Sequence, residues 1–163
     1  MGGAMSQDII VRLAIAGDAA VIVAFNRAMA LETEGKVLAE ETASRGVAGL
    51  FANPSLGFYV VAEVGGEVIG SLMITTEWSD WRNGSFWWVQ SVYVRPDSRR
   101  QGVYRRLYRF VGDMAAEDPD VCGFRLYVER ENPTAQQAYR ALGMEETSYL
   151  MFEDLKDGID YYH

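Results

Sequence analysis

Three apolar runs in the middle of the chain are connected by two dipeptides that favour tight turns. Gly65-Gly66 separates residues 58–64 from residues 68–76, and Asn83-Gly84 precedes residues 86–94. Glycine and asparagine tolerate the positive φ angles that short hairpin turns require. The pattern therefore predicts three consecutive antiparallel strands, which restricts the chain to folds that contain a β-meander.

Segments on both sides of this meander show further periodic patterns. Ile22, Phe25 and Met29 recur at helical spacing after Asp18, a favourable helix N-cap. Further helices are predicted over residues 37–50, 103–114 and 133–142. Further strands are predicted over residues 9–13, 123–128 and 148–152. The order β-α-α-β-β-β-α-β-α-β indicates a mixed α+β sheet with antiparallel and parallel parts.

Length and charge limit the organisation of the protein and its partners. A chain of 163 residues fits one compact domain, so we expect a single domain over 1–163 with a flexible N-terminus at 1–8. Lys plus Arg number 15 and Asp plus Glu number 23, which gives a net charge of −8. Such a protein is a poor general partner for nucleic acid or an anionic membrane, and suits a cationic or amine-bearing partner. Because neither an apolar run of about 18 residues nor a basic leader is present, we expect no membrane span, no signal peptide and a cytoplasmic location.

Histidine and cysteine are too scarce for several classes of active site. The chain has one cysteine, Cys122, and one histidine, His163. These exclude Ser-His-Asp and Cys-His triads, H-E-x-x-H metalloprotease sites and Cys- or His-cluster metal sites. We interpret Cys122 as a buried structural thiol. Chemistry in this protein must use carboxylates, tyrosine, backbone amides or a cofactor, and no metal is expected.

A basic loop that contains Gly102 lies between the last strand of the meander and the helix at 103–114. A helix N-terminus presents unpaired N–H groups and partial positive charge, which suit a phosphate, and glycine lets the backbone approach it closely. Six arginines lie within fifteen positions here: Arg95, Arg99, Arg100, Arg105, Arg106 and Arg109. The segment predicts an anion site, with an ordinary solvated helix start as the alternative. It matches neither the Walker A loop nor G-x-G-x-x-G.

Two motifs resemble those of the GNAT superfamily of acetyl-CoA-dependent N-acetyltransferases. Arg99-x-x-Gly102-x-Tyr104 is similar to that family's Q/R-x-x-G-x-G/A loop for acetyl-CoA. Asn132 at a helix start, followed seven residues later by Tyr139, resembles its second motif. The order of elements agrees over residues 9–152. The resemblance implies a GNAT-type, mostly antiparallel central sheet flanked by helices and splayed between its fourth and fifth strands.

The resemblance also implies which residues bind acetyl-CoA. The pyrophosphate loop comprises Arg99, Arg100, Gln101, Gly102, Val103, Tyr104 and Arg105. A bulged fourth strand with Val92, Tyr93 and Val94 pairs with the pantetheine arm, and the Val92 N–H polarises the thioester carbonyl. Asn132 contacts the cofactor near the pantetheine and can also cap its own helix. Tyr104 replaces the family's usual Gly or Ala, so its side chain either crowds the pyrophosphate or points aside and packs.

The implied reaction is direct attack of a neutral primary amine on the thioester in a ternary complex. This reaction needs no enzyme nucleophile, in agreement with the scarcity of histidine and cysteine. Tyr139 is the implied donor of a proton to the leaving thiolate, and a half-buried aromatic on a helix face is the alternative. The function implied is that of an N-acetyltransferase. The alternative is a non-catalytic acyl-CoA-binding sensor or interaction module of the same fold.

Acidic and aromatic side chains are candidates for binding the acceptor amine. The candidate residues are Glu32, Glu34, Glu77, Trp81 and Gln90. Ordinary surface charge also explains each carboxylate. All four tryptophans lie in residues 78–88, where core or dimer packing is favoured over an aromatic wall for a cation, so a homodimer is one expected assembly. This hairpin is distantly similar to that of spermidine/spermine-type diamine acetyltransferases, but Gln90 replaces their acidic residue, so the substrate is not carried over.

Overall fold

The computed structural model describes residues 8–163, which contain a five-stranded sheet. The strands are β1 (Ile10–Leu13), β2 (Gly57–Val64), β3 (Glu67–Ser79), β4 (Gly84–Val94) and β5 (Val121–Arg125). They lie in the order β1-β2-β3-β4-β5. β1 to β4 are antiparallel neighbours, and β5 runs parallel to β4. The predicted mixed, mostly antiparallel sheet and its central meander are therefore confirmed.

Four α-helices are present in the described residues. They are α1 (Ala19–Glu34), α2 (Glu40–Ala52), α3 (Val103–Ala116) and α4 (Pro133–Ala141). The apolar stripe predicted for α3 is confirmed, because Val103, Leu107 and Val111 are buried at four-residue spacing. No helix in residues 8–163 combines the length and apolar content that crossing a membrane requires.

The described residues divide into two compact units. The larger contains the sheet, α1, α2, α3 and the last residues, Tyr161–His163. The smaller is Leu126–Asp160, which contains α4 and has no buried residue. The single domain over 1–163 stays a prediction, and most of the predicted flexible N-terminus, residues 1–7, lies outside the described residues.

Strand β2 is buried on both of its faces. Tyr59 and Val61 pack into one apolar cluster with Ile22 of α1 and residues of α2. Because side chains alternate along a strand, Ala62 faces the opposite side, and it is buried too. Its partner on that side, Gly70 of β3, approaches the Val103 side chain of α3 so closely that an added Cβ would lie at 3.1 Å. Helices α1 and α2 therefore cover one face of the sheet, and α3 covers the other.

Both predicted turns of the meander form, but their lengths differ. Gly65 and Gly66 have φ angles of 60° and 81° and connect β2 directly to β3. Asn83 also has a positive φ, 49°, but it ends a four-residue connection, because Ser79 pairs with Gly84. An added Cβ on Gly84 would lie 3.1 Å from the Cβ of Cys122 in β5. Glycine at position 84 is thus required by the close approach of β5 rather than by the turn.

Two strands predicted near the C-terminal end differ from the structure. β5 spans Val121–Arg125 instead of residues 123–128, and residues 148–152 form no strand. Side-chain pattern supports a strand in both cases, but a strand forms only where a neighbour shares its backbone hydrogen bonds. Within the smaller unit, residues 126–160, the structure contains no other strand that could be such a neighbour.

The interpretation of Cys122 as a buried thiol is wrong. Cys122 is exposed in β5, the strand at one edge of the sheet. An edge strand has a neighbouring strand on one side only, so apolar composition alone does not bury its residues.

Asp18 does not cap α1 in the way the sequence predicts. A short 3₁₀ turn, Ala16–Asp18, precedes α1, and the Asp18 carboxylate makes no capping bond to that helix. It accepts hydrogen bonds from the Ile15 N–H at 2.8 Å and from Arg12 of β1 at 2.8 and 3.1 Å. Arg12 also contacts Glu63 of β2 at 3.2 Å. Asp18 therefore fastens the start of α1 to the first two strands.

Replacing Asp18 by alanine should destabilise the protein by about 2–3 kcal/mol, because Arg12 and the Ile15 N–H lose a buried acceptor. The Arg12 hydrogen bond is the main reason that the pKa of Asp18 is lowered from its ordinary value of 3.8. A carboxylate with a lowered pKa stabilises the folded protein at pH values above its ordinary pKa. This stabilisation is lost as the pH falls through the folded-state pKa. The difference between wild type and Asp18→Ala in urea unfolding should thus be full at pH 7 and shrink below about pH 4.

Asp18→Asn is the matched control for this experiment. Asparagine keeps an oxygen acceptor for the Ile15 N–H but removes the charge opposite Arg12, so it should cost less than alanine. Equal unfolding free energies for wild type and Asp18→Ala at pH 7 would contradict this account of Asp18.

Candidate active site

Strand β4 contains a bulge close to its C-terminal end. Tyr93 pairs with Ser71 and Gln90 pairs with Met73, so the single residue Leu72 of β3 faces two residues of β4. One of these, Ser91, has a φ of 49°, which is rare for a residue other than glycine. A bulge bends its strand and increases the local twist. It therefore turns the end of β4 away from the direction of its first half.

The edge of β4 that faces β5 is paired along the first half of the strand only. The ladder with β5 runs from Ser85 to Trp88 and stops there. The Arg95 N–H donates to Ile69 of β3, so the backbone groups of Val94 point to the opposite edge, because successive residues of a strand alternate. The same alternation directs the Val92 N–H to that edge. An extended ligand can add to such an edge as a strand does.

A backbone cradle follows the bulged strand. Arg100 and Gly102 both have positive φ angles, 63° and 77°, and Gly102 is the N-cap of α3. The first intrahelical bond runs from the Arg106 N–H to the Gly102 carbonyl, so the N–H groups of residues 103–105 are those that a helix leaves unpaired. An added Cβ on Gly102 would meet no atom within 4 Å, so the loop borders open space. These features fit a phosphate group.

The six arginines of this region divide into two sets of three. Arg95 pairs with Glu67 and Asp97, Arg106 donates to the Ile9 carbonyl, and Arg99 pairs with Glu32. The other three have no ion pair among those found in residues 8–163: Arg100, Arg105 and Arg109. These three residues are exposed, and Arg100 and Arg105 lie within the loop and first turn that form the cradle.

The Tyr104 side chain packs along its own helix. Its ring lies 6.3 Å from that of Tyr108, one turn later, and the Tyr108 ring lies 5.4 Å from Phe124 of β5. Of the two orientations expected for this departure from the motif, the side chain takes the one that points aside. The Tyr104 ring therefore packs along α3, while its backbone N–H is one of the three at the start of the helix.

Arg99 connects the last turn of α1 to the bulged strand. Its Nε donates to the Val94 carbonyl at 2.9 Å and its guanidinium pairs with Glu32 at 2.8 Å. The Tyr93 hydroxyl donates to the same carboxylate at 3.5 Å, and burial, together with the charge of Glu32, raises the pKa of Tyr93. The structure thus joins a predicted cofactor residue to a predicted acceptor residue, and the Arg99 side chain holds β4 instead of facing the phosphate cradle.

The remaining candidate acceptor residues have separate partners. Glu34 lies 3.4 Å from Lys36, and Glu77 lies 2.6 Å from Arg125, whose guanidinium covers the Phe86 ring at 3.7 Å. The Gln90 amide donates to Thr75 at 2.6 Å. Trp81, at the tip of the β3–β4 hairpin, is 88% exposed. Each carboxylate therefore already has a cationic neighbour.

The four tryptophans do not form one surface. Trp87 is buried between Phe58 and Phe124, with ring centroids at 5.3 and 6.0 Å, which confirms core packing for this residue. Trp78 and Trp81 are exposed. Strand alternation, together with the hairpin position, accounts for the difference.

Asn132 and Tyr139 belong to the smaller unit. The Asn132 side chain accepts a hydrogen bond from the Ala135 N–H at 3.1 Å and caps α4, as predicted. Tyr139 lies in the last turn of this nine-residue helix, two residues before its end. Burial raises the pKa of Tyr139 above its ordinary value of 10.0. Its hydroxyl therefore stays protonated at neutral pH, as a proton donor must.

Sequence reasoning did not identify Ser91 or the ion pair between Arg99 and Glu32. A serine within an apolar strand does not by itself indicate a bulge. Only the positive φ of Ser91 in the structure identifies it. The ion pair joins residues 67 positions apart, for which a single sequence carries no signal. No group of His, Cys, Asp or Glu in the described part of the chain is arranged to hold a metal ion.

Comparison with known proteins identifies the family. The profile of the Acetyltransferase (GNAT) family matches residues 25–144, which include the later part of α1, the bulged β4, the Gly102 cradle and α4. The chain belongs to the GNAT acetyltransferase family. Membership supports acyl transfer and acetyl-CoA as the general chemistry. No curated protein matches the chain significantly.

Solved structures described as acetyltransferases share this fold. A possible acetyltransferase from Clostridium difficile 630 is 40% identical, with a TM-score of 0.86 over 93% of this chain and 99% of that chain. A predicted acetyltransferase from Clostridium acetobutylicum, solved with acetyl-CoA, is 17% identical, with a TM-score of 0.75 over 90% and 96% of the two chains. Glucosamine-6-phosphate N-acetyltransferase from Arabidopsis thaliana is 16% identical, with a TM-score of 0.70 over 92% and 100%. The last two show the fold alone.

Proposed function

We propose that this GNAT protein is an enzyme that transfers the acetyl group of acetyl-CoA to a primary amine, by direct attack in a ternary complex. One observation carries the proposal. The ladder between β4 and β5 ends at Trp88, before the bulge at Ser91, so β5 leaves the Val92 edge unpaired on the N-terminal side of the Gly102 cradle. A strand-like edge followed by a phosphate cradle suits a ligand with an extended amide arm and a pyrophosphate.

The chain's own groups divide the binding of acetyl-CoA between them. The unpaired N–H groups at the start of α3 and the open loop at Gly102 take the pyrophosphate, and Arg100, Arg105 and Arg109 supply positive charge. The backbone of residues 92–94 takes the pantetheine arm. Arg99 acts on this strand from behind through the Val94 carbonyl and Glu32, so it is a positioning residue. Asn132, at the start of α4, contacts acetyl-CoA near the pantetheine.

The chemistry requires one bond to form and one to break. Acetyl-CoA supplies an activated acetyl thioester when bound. The Val92 N–H stabilises the negative charge that develops on the thioester carbonyl oxygen. The amine nitrogen forms the new C–N bond and loses a proton to solvent water, the C–S bond breaks, and Tyr139 donates a proton to the sulfur. Burial suits Tyr139 to this role, because its raised pKa keeps it neutral until the thiolate forms.

The acceptor that we propose is an amine that is cationic when free. Glu34, Glu77, Trp81 and Gln90 remain the proposed acceptor residues, together with Glu32. The carboxylates of Glu34, Glu77 and Glu32 already face cationic side chains. A substrate ammonium therefore competes with Lys36, Arg125 and Arg99 respectively. Such a site should bind polyvalent amines better than monovalent ones, since Coulomb attraction grows with ligand charge.

Acetyl transfer to a panel of polyamines, amino acids and aminoglycosides should reveal at least one cationic acceptor. Its KM should rise several-fold between low and high salt, because salt screens exposed charges. Glu34→Gln and Glu77→Gln should raise this KM at low salt and leave the KM for acetyl-CoA unchanged.

Glu41→Gln is the matched control for the acceptor experiment. Glu41 is equally a surface carboxylate in an ion pair, with Arg45 at 2.8 Å, but it lies on α2. If both variants match Glu41→Gln, these two carboxylates do not bind the acceptor. A protein that binds acetyl-CoA and acetylates no amine would support the alternative, an acyl-CoA-binding module.

Because acetyl-CoA is the cosubstrate, we propose a cytoplasmic location, and we propose a homodimer.

A further inference from the structure

The ammonium group of Lys36 lies among aromatic and acidic side chains of the larger unit. Its Nζ donates to the Tyr161 hydroxyl at 2.9 Å and lies 3.4 Å from the Glu34 carboxylate. The same nitrogen lies 5.4 Å from the centre of the Tyr161 ring and 4.9 Å from that of Tyr162. The two rings meet at 67° with their centroids 4.8 Å apart. We call Glu34, Tyr161 and Tyr162 the ammonium site, because aromatic faces and a carboxylate attract organic cations.

The backbone builds this site without the Lys36 side chain. Residues 37–39 and residues 161–163 run antiparallel and share one bridge, between Leu38 and Tyr162. Backbone hydrogen bonds of 2.9 Å and 2.8 Å join the two segments on either side of this bridge. Both segments belong to the larger unit. The two rings are therefore expected to keep their places when the Lys36 side chain is removed or displaced.

The end of α1 adds to the attraction for a cation. Gly35, with a φ of 65°, ends the helix, and the Lys36 N–H donates to the Ala30 carbonyl at 3.2 Å. The last carbonyl groups of a helix carry partial negative charge, which favours a cation nearby. Glu34, in the last turn, adds a full negative charge. The backbone of Lys36 is thus fixed by the helix end, and only its side chain is able to leave the ammonium site.

We propose that the ammonium site binds a primary alkylammonium ligand and that Lys36 is its internal competitor. The Lys36 side chain is itself an alkylammonium, so the site already contacts the group that such a ligand presents. Tyr161 and Tyr162 are 40% and 48% exposed and the Glu34 side chain is 46% exposed, so a ligand reaches them from solvent. The inference rests on the proposed function, because the cationic acceptor amine is the ligand that we expect there.

The hold of Lys36 on the site is weak but persistent. An exposed ion pair and an exposed cation–π contact each contribute little, so a ligand in solution is able to displace the lysine. A tethered group, however, competes at a high effective concentration. If Lys36 fills the site about nine-tenths of the time, the apparent Kd of a ligand is raised about tenfold. Removing the lysine should therefore improve binding, which is the opposite of what losing a ligand-binding residue does.

The first experiment follows the Lys36 side chain by NMR in the absence of acetyl-CoA. The sequence contains two lysines, Lys36 and the exposed Lys156, so lysine labelled with ¹³C gives two ε-methylene signals. The two rings should shift the Lys36 signal upfield, whereas Lys156 should keep the position of free lysine. Titration with 1,4-diaminobutane should move the Lys36 signal to that position, saturably, and leave Lys156 unchanged.

Two results of the NMR experiment would overturn the proposal. One is a Lys36 signal that already has the position of free lysine before the titration, because the ammonium site would then be unoccupied by the lysine in solution. The other is a Lys36 signal that responds no more to 1,4-diaminobutane than to sodium chloride at equal ionic strength. That result would reduce the effect of the diamine to screening.

The second experiment measures the Kd of 1,4-diaminobutane by calorimetry in Lys36→Ala and in Lys156→Ala, the matched control. Each variant removes one positive charge, so a general change in charge affects both alike. Lys36→Ala should bind the diamine about tenfold more tightly than wild type, and Lys156→Ala should bind it as wild type does. Adding Tyr162→Leu to Lys36→Ala should abolish the gain, because one ring is lost. Equal Kd values in the two single variants would contradict the proposal.

Acetyl transfer distinguishes a failure of this inference from a failure of the proposed function. If cationic amines are acetylated with the same KM by Lys36→Ala and by Lys156→Ala, the function stands and the inference is overturned. If 1,4-diaminobutane displaces Lys36 but no amine is acetylated, the ammonium site stands and the proposed transfer is wrong.

Discussion

Gly102→Glu is expected to lose acetyl-CoA binding, with a Kd raised about 100-fold or more. The substitution places a carboxylate at the N-terminus of α3, where we propose that the pyrophosphate accepts hydrogen bonds. Losing two bonds to a charged group, at about 1.5–3 kcal/mol each, accounts for this factor. An added Cβ at Gly102 meets no atom within 4 Å, so the substitution costs the strain of a positive φ without a steric clash at Cβ, and the fold should persist. Calorimetric titration of the folded variant is the measurement.

Two further substitutions separate charge from backbone strain. Gly102→Ala keeps the positive φ of 77° but adds no charge, so it should cost only the strain of a left-handed residue, about 1–2 kcal/mol. Gly66→Glu introduces the same carboxylate at another glycine with a positive φ, 81°, and open surroundings. It should bind acetyl-CoA as wild type does. Unchanged affinity in Gly102→Glu would remove the cradle from the proposed site.

Tyr139→Phe is expected to lower kcat by roughly 10²–10⁴-fold while the Kd for acetyl-CoA stays within about twofold. Phenylalanine keeps the ring and removes the proton that we propose the sulfur receives. Because burial raises the pKa of Tyr139 above 10.0, its ionisation should reduce the wild-type rate only above pH 10. Single-turnover kinetics, at a pH where chemistry limits the rate, measures the effect directly.

Tyr108→Phe is the matched control for Tyr139→Phe. Tyr108 is also half-buried, burial also raises its pKa, and its ring packs against Phe124. Its hydroxyl has no role in the proposed reaction, so kcat should not change. If Tyr139→Phe loses less than tenfold, Tyr139 is a packing residue and the leaving thiolate takes its proton from water.

Local sequence signals identified the elements that depend on local chemistry. Gly65-Gly66 supports positive φ at both residues, and the hairpin forms there. The stripe that begins at Val103 produces a helix with one buried face. Asn132 caps α4, because its acceptor lies three residues before the N–H that it satisfies. Each of these outcomes is decided within a few residues of chain.

Structural features that depend on residues far apart in the sequence could not be predicted in the same way. The pattern of residues 148–152 favours a strand, yet these residues form no strand, because a strand depends on backbone partners that the local pattern does not specify. Cys122 resembles a core residue but is exposed, because β5 is an edge strand. Asp18 resembles a helix cap, but its carboxylate binds Arg12, whose guanidinium competes better than a backbone N–H.

The sequence by itself determined the family, the meander, the cradle glycine and the spacing of Asn132 and Tyr139. Each of these features depends on residue types within a short stretch of the chain. Only the tertiary structure decided three others. It located the bulge at Ser91, where the register between β3 and β4 changes. It turned Arg99 from the cradle to Glu32 and Val94, and it turned the Tyr104 ring toward Tyr108. Each outcome is a choice among partners that the fold brings together, and a side chain takes the partner with the largest gain in charge pairing or apolar burial.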